Sequence, residues 1–186
     1  MKTVKQLMFL VITSVVLMGC VNKKNVEIKP YTSAYNQEST SKEINVIKIN
    51  DKRKNKVVAL ISDEGETLNE FKTTTNLEFW FADALKKDFS TSGIKNTLDA
   101  KTSLEINIIT LNAKFINKTA TNVNLYGNVE IELVFKSGAN TKTKTIKSSF
   151  KKWKISMRDA ADFESFIYES LTDAVLNSVK AIIKTI

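Results

Sequence analysis

Between Val123 and Phe135 every odd-numbered residue except Gly127 is apolar: Val123, Leu125, Val129, Ile131, Leu133 and Phe135. The even positions include Asn124, Asn128, Glu130 and Glu132. A period of two means one side of a strand is buried and the other wet. Such alternation belongs to antiparallel sheets with one covered face. The fold must therefore supply a layer that covers the odd face.

The neighbouring segments read the same way. Leu104, Ile106 and Ile108 alternate, then Ile109, Leu111, Ala113 and Phe115 alternate in the opposite phase. A one-residue slip sends side chains to the wrong face, so a β-bulge is expected near Ile108-Ile109. Ser137-Gly138-Ala139-Asn140 reads as a turn, and residues 142–155 as the next strand. That strand carries Ile146, Phe150, Trp153 and Ile155 among lysines. Two shorter strands are expected at 44–49 and 57–61, and residues 62–74 read as loop.

Helical spacing appears twice. Leu77, Trp80, Phe81, Ala84, Leu85 and Phe89 form one stripe. Thr75-Asn76-Leu77-Glu78 has capping-box spacing, and Gly93 suits a left-handed helix end. A second stripe runs from Phe163 to Ile186, with Asp159 or Asp162 as its cap. The expected order is β-β-α-β-β-β-α: an α+β domain over residues 44–186, with an antiparallel sheet and two helices packed on one face.

The start of the chain sets its address. Lys2 and Lys5 precede an apolar run from Leu7 to Val16, too short to span a bilayer, which takes about 20 residues. Leu17-Met18-Gly19-Cys20 then resembles the bacterial lipobox. That resemblance implies a signal peptide over 1–19, cleavage between Gly19 and Cys20, and lipidation of Cys20. Several acyl chains on one cysteine anchor a protein stably. By resemblance to lipoprotein sorting, Val21 implies the outer membrane, facing the periplasm. Residues 20–43 are polar and sparse in apolar groups, and read as a lipidated flexible tether.

Composition narrows the chemistry. The chain has no histidine and one cysteine. With that cysteine lipidated, Cys/His nucleophilic and metal chemistry drop out, disulfides are impossible, and no cofactor is expected. Removing Lys2 and Lys5 with the signal lowers the formal net charge from +8 to +6. Export argues against a nucleic-acid partner. The counterpart of this charge is anionic phospholipid, lipopolysaccharide or an acidic protein, unless the lysines simply solvate the surface.

Four candidate sites stand out. Asp51-Lys52-Arg53 places an arginine beside a strand, as a partner or phosphate contact or as a structural turn. Lys142 and Lys144, with Lys152 farther along, share one strand face. They either meet anionic lipid or guard an edge against pairing. Trp80, Trp153, Phe163, Phe166 and Tyr168 read as core, or as the lining of an acyl-chain gap. Glu130 and Glu132 lie about 7 Å apart on one strand face, a glycosidase-like separation that nothing else supports.

Taken in order, these pieces resemble the YajG-like outer-membrane lipoproteins. They are the lipobox, the apolar segment Ile47 to Arg53 ending in Asp-x-Arg, and the helix end from Leu85-Lys86-Lys87-Asp88-Phe89 to Gly93-Ile94. The strand Leu104-Glu105-Ile106-Asn107-Ile108 and the C-terminal helix around Leu171-Thr172-Asp173-Ala174-Val175 complete the match. Here Lys54-Asn55-Lys56 stands where that family typically has a small or glycine-bearing segment. The resemblance implies no enzyme activity and no catalytic residues. It implies a non-enzymatic structural, assembly or partner-binding subunit of an envelope complex, in secretion, transport or flagellar machinery. A looser likeness, at the level of fold, is to the lipid-binding auxiliary lipoproteins of envelope transport systems.

Overall fold

The computed structural model describes residues 24–36, 40–118 and 122–186. The signal, Gly19 and Cys20 lie outside the described residues. The elements are β1 (Asn25–Val26), β2 (Glu43–Asp51), β3 (Val57–Asp63), β4 (Glu66–Thr73), α1 (Leu77–Ser92), β5 (Lys95–Asn96), β6 (Ser103–Ile116), β7 (Leu125–Ser137), β8 (Asn140–Lys152) and α2 (Ala161–Ile183).

Strands β6, β7 and β8 form an antiparallel meander. The expected bulge is present: Ile108 pairs with Ile131 and Thr110 with Glu130, so Ile109 is the extra residue. Its insertion lets Leu104, Ile106 and Ile108, then Leu111, Ala113 and Phe115, all sit buried with the odd face of β7. Helices α1 and α2 cover that face over one continuous core. The other face carries a polar ladder: Asn50 Nδ2 donates to Glu105 and Asn107, and Asn107 Nδ2 donates to Glu132, at 2.8–2.9 Å.

The sheet is mixed rather than purely antiparallel. β2 and β3 both run parallel to β6, on the edge opposite β7. β2 pairs along Ser103–Ile108 and β3 along Ala113–Ile116. Alternation reveals which face is buried and is blind to strand direction, which the long β3-β4-α1 crossover decides here.

Three further corrections follow, and in the first two local polarity is overridden by tertiary pairing. The expected loop at 62–74 contains β4, which forms a hairpin with β3. Glu64 (φ 49°) and Gly65 (φ 92°) make its tight turn, since both positions need positive φ. The expected capping box is split. Asn76 Oδ1 caps α1 by accepting from Phe79 N at 3.0 Å, Thr75 Oγ1 accepts from Ile28 N, and Glu78 Oε1 accepts from Asp51 N. At α2 the cap residue is Ala160, with no side-chain cap, while Asp162 accepts from the entry-loop amides of Arg158 and Asp159, and Asp159 from Ala161 N, the first residue of the helix. Gly93 ends α1 in the left-handed region as expected (φ 75°).

The largest correction concerns the tether. Within the segment expected to be flexible, Val26, Ile28, Tyr31 and Tyr35 are buried in the core. Polar neighbours hid an apolar residue every few positions. Trp80 Nε1 donates to Lys29 O at 2.7 Å, Lys87 Nζ to Tyr31 O at 2.9 Å, and Tyr31 OH to Asp88 at 2.8 Å. Residues 24–36 are thus strapped across α1.

Candidate functional site

The break between β2 and β3 builds the first site. Lys52 N bonds Ile108 O at 3.0 Å, the last rung of β2. The chain then leaves β6 until Ala59 pairs with Ala113, so among the described residues Ile109–Asn112 have no strand partner on that edge. The missing rungs leave a cleft of about 780 Å³. Lys52, Arg53, Lys54 and Lys114 supply its cations, and Leu60, Ile109 and Leu111 its apolar wall.

Arg53 is the fixed member of this group, only 6% exposed. Its Nε and Nη2 donate to the two carboxylate oxygens of Asp51 at 2.8 and 3.0 Å, a bidentate pair. Lys56 Nζ joins the same carboxylate at 2.8 Å. Burial pushes the Asp51 carboxyl upward, but hydrogen bonds from Arg53 and Lys56 outweigh it and hold it down at about 2. Asp51 therefore stays charged and orients the guanidinium. Arg53 Nη1 is buried and finds no acceptor among the described residues.

The second site is a groove of about 800 Å³ between β2 and α1. Val46, Ile49, Leu85 and Phe89 line it, and Ile47 and Phe79, 51% and 76% exposed, stand at its rims. Beyond Ile44, no strand among the described residues pairs with the outer edge of β2. Val46 N is held by Asn96 Oδ1 and Asp51 N by Glu78 Oε1, which bracket an open stretch of edge. Lys48 and Lys86 flank the groove from the two walls. The sequence carried one signal for it: Phe79 lies off the buried stripe of α1, yet is large and apolar.

The lysines of β8 do share a face. Lys142, Lys144 and Lys152 pair with Phe135, Leu133 and Leu125, so all three are on the helix side of an edge strand. Lys142 is exposed there; Lys152 is ion-paired with Glu169 and lies 5.9 Å from the Phe166 ring centroid. They do not converge with Arg53, which belongs to the cleft beyond β6. Glu132 accepts from Asn107, and Glu130 is 3.3 Å from Lys147. Neither carboxylate lines the cleft or the groove. Trp80, Phe163 and Phe166 fill the core rather than line a gap. Trp80 stacks edge-on against Tyr31 and Tyr168, and Trp153 is 56% exposed past the end of β8. Among the described residues no helix is long and apolar enough to cross a membrane.

No curated protein matches the chain. Among solved structures it is similar to a Xanthomonas campestris protein, XCC0632 of the DUF330 family, with TM-score 0.51 and 12% identity over 85% of this chain and 91% of that one. A second structure, that of an uncharacterized protein, gives TM-score 0.54 and 12% identity over 86% of this chain and 99% of that one. At that identity the likeness establishes the fold alone. A family model described as "Uncharacterized lipoprotein" matches residues 30–179, which is most of the chain. The chain belongs to that family, the YajG-like lipoproteins.

Proposed function

We propose that this lipoprotein is a non-enzymatic, partner-binding subunit of an envelope complex, anchored through Cys20 in the outer membrane and facing the periplasm. One observation carries the reading: the unpaired outer edge of β2 beside an apolar groove with Ile47 and Phe79 left in solvent. A free edge of this kind invites another chain unless it is blunted. An extended segment of a partner adds a strand to it by main-chain hydrogen bonds, while the groove accepts alternate apolar side chains. Lys48 and Lys86 suit a segment with acidic flanks.

A photo-crosslinking residue at Phe79, at Ile47 and, as control, at Lys142 tests this in cells. The expected result is one adduct of the same mass from positions 79 and 47, absent from 142. Equal labelling at all three positions, or none, would overturn it. The anchor has its own test. Cys20→Ala is expected to move the protein from the membrane pellet to the soluble or unprocessed fraction, and undiminished membrane association with an unacylated intact mass would refute it.

A second reading, a lipid-binding auxiliary of an envelope transport system, draws support from the cationic cleft.

A further inference from the structure

We propose that the cleft between β2 and β3 binds a phosphate-bearing ligand, with Arg53 as its positioned cation and Lys54 and Lys114 as its rim. The inference stands on the strand break, and the groove used above has no part in it.

The lining is one-signed. Among the described residues, four cationic ones line the cleft and no Asp or Glu does. Lys52 is 3.4 Å from Glu105, whereas no described carboxylate pairs with Lys54 or Lys114. A protein that only wanted solubility would leave such lysines scattered on convex surface. Here they rim a concave wall, where clustered like charge raises the local potential and favours an anion.

The arginine is built rather than incidental. Two hydrogen bonds to the Asp51 carboxylate, itself shared with Lys56, orient its guanidinium. Buried donors in native proteins are almost always satisfied. Nη1 of Arg53 is buried and has no partner among the described residues, and Arg53 lines the cleft. A phosphate oxygen is a suitable acceptor for a charge-assisted bond from it. Lys56 already shares Asp51, so the Asp51–Arg53–Lys56 group keeps one net positive charge for an incoming anion.

Donors are also available from the main chain. Among the described residues no strand pairs with the backbone of Ile109–Asn112 on this edge, because β2 and β3 pair with β6 on either side of it. Unpaired backbone groups next to cations form anion-binding concavities. The apolar wall of Leu60, Ile109 and Leu111 gives the cleft a second, greasy component. Phosphate attached to an apolar body, as in a phospholipid headgroup with its proximal chain, fits both components; inorganic phosphate fits only the first.

Calorimetric titration of the mature lipidated protein in a nonionic detergent tests the site with two probes, inorganic phosphate and monomeric dihexanoyl phosphatidylglycerol. Saturable binding of either is expected. Binding of both with similar affinity assigns free phosphate, and at least tenfold tighter binding of the lipid assigns the headgroup. Arg53→Gln is expected to weaken binding tenfold or more. Because losing Arg53 orphans Asp51 and threatens folding, Lys54→Gln with Lys114→Gln is the companion variant. It leaves the Asp51 pair intact and is expected to weaken binding several-fold. Lys142→Gln with Lys144→Gln should leave binding unchanged. No saturable binding at millimolar probe overturns the proposal. So does an equal loss in the Lys142/Lys144 variant, which would mean diffuse charge. Either failure leaves the crosslinking result at Phe79 and Ile47 untouched, and the reverse holds too.

Discussion

Asp88→Ala is expected to destabilise the domain by about 3–5 kcal/mol in urea unfolding, and to expose the segment around Lys29 to trypsin. Asp88 sits in α1 with no solvent exposure. It accepts Tyr31 OH at 2.8 Å and Ser33 Oγ at 2.7 Å. Hydrogen bonds to a charged acceptor are worth about 1.5–3 kcal/mol each, and removing one partner strands the other. Burial of the Tyr31 ring, then the Asp88 hydrogen bond, pushes the phenol well above its ordinary range. Alanine leaves that hydroxyl buried without its acceptor. The effect concentrates on the strap, because Asp88 supplies its side-chain hydrogen bonds to Tyr31 and Ser33, while Trp80 and Lys87 hydrogen-bond only the main-chain oxygens of Lys29 and Tyr31. Asp88→Asn keeps an acceptor oxygen and is expected to recover part of the loss. A cost below about 1 kcal/mol with unchanged tryptic cleavage would mean that residues 24–36 are a passive tether after all.

Gly127→Val is expected to cost about 3 kcal/mol, the upper part of the range for overpacking a filled core. A Cβ at position 127 would lie 2.5 Å from Cε1 and 2.9 Å from Cζ of Phe166. The ring is 2% exposed and sits edge-on to Phe150 at 6.4 Å, so it has little room to retreat. Glycine is therefore what lets α2 seat its aromatic directly on β7. Alanine at the same place should cost less, about 1–2 kcal/mol, because one methyl asks the ring to move less. Phe166→Leu in the Gly127→Val background should restore stability relative to the sum of the two single changes. Strict additivity in that double-mutant cycle would show that the clash is relieved elsewhere.

Both predictions sit where sequence reading was weakest, for a common reason. Gly127 appeared as a gap in an otherwise perfect alternation, which shows that a side chain is missing but not what occupies the space. Asp88 looked like one more charged residue on a helix, and Tyr31 like one more residue of a polar tail. Their partner lies 57 positions away, and no local pattern encodes that pairing. Arg53 was legible as a candidate because Asp-x-Arg beside a strand has its own chemistry. The cleft around it was not, because its far wall comes from Ile109 and Lys114.

The residues alone determined which faces are buried, where β6 must bulge, where α1 and α2 begin and stop to within a turn, and that histidine and disulfide chemistry are absent. These follow from period, phase and composition, which are properties of neighbours in the chain. The tertiary structure decided strand direction, the strand hidden in 66–73, the strap across α1 and the break that opens the cleft. Each of those depends on which distant backbone edge offers a free hydrogen-bonding partner, and that is settled only when the whole sheet is assembled.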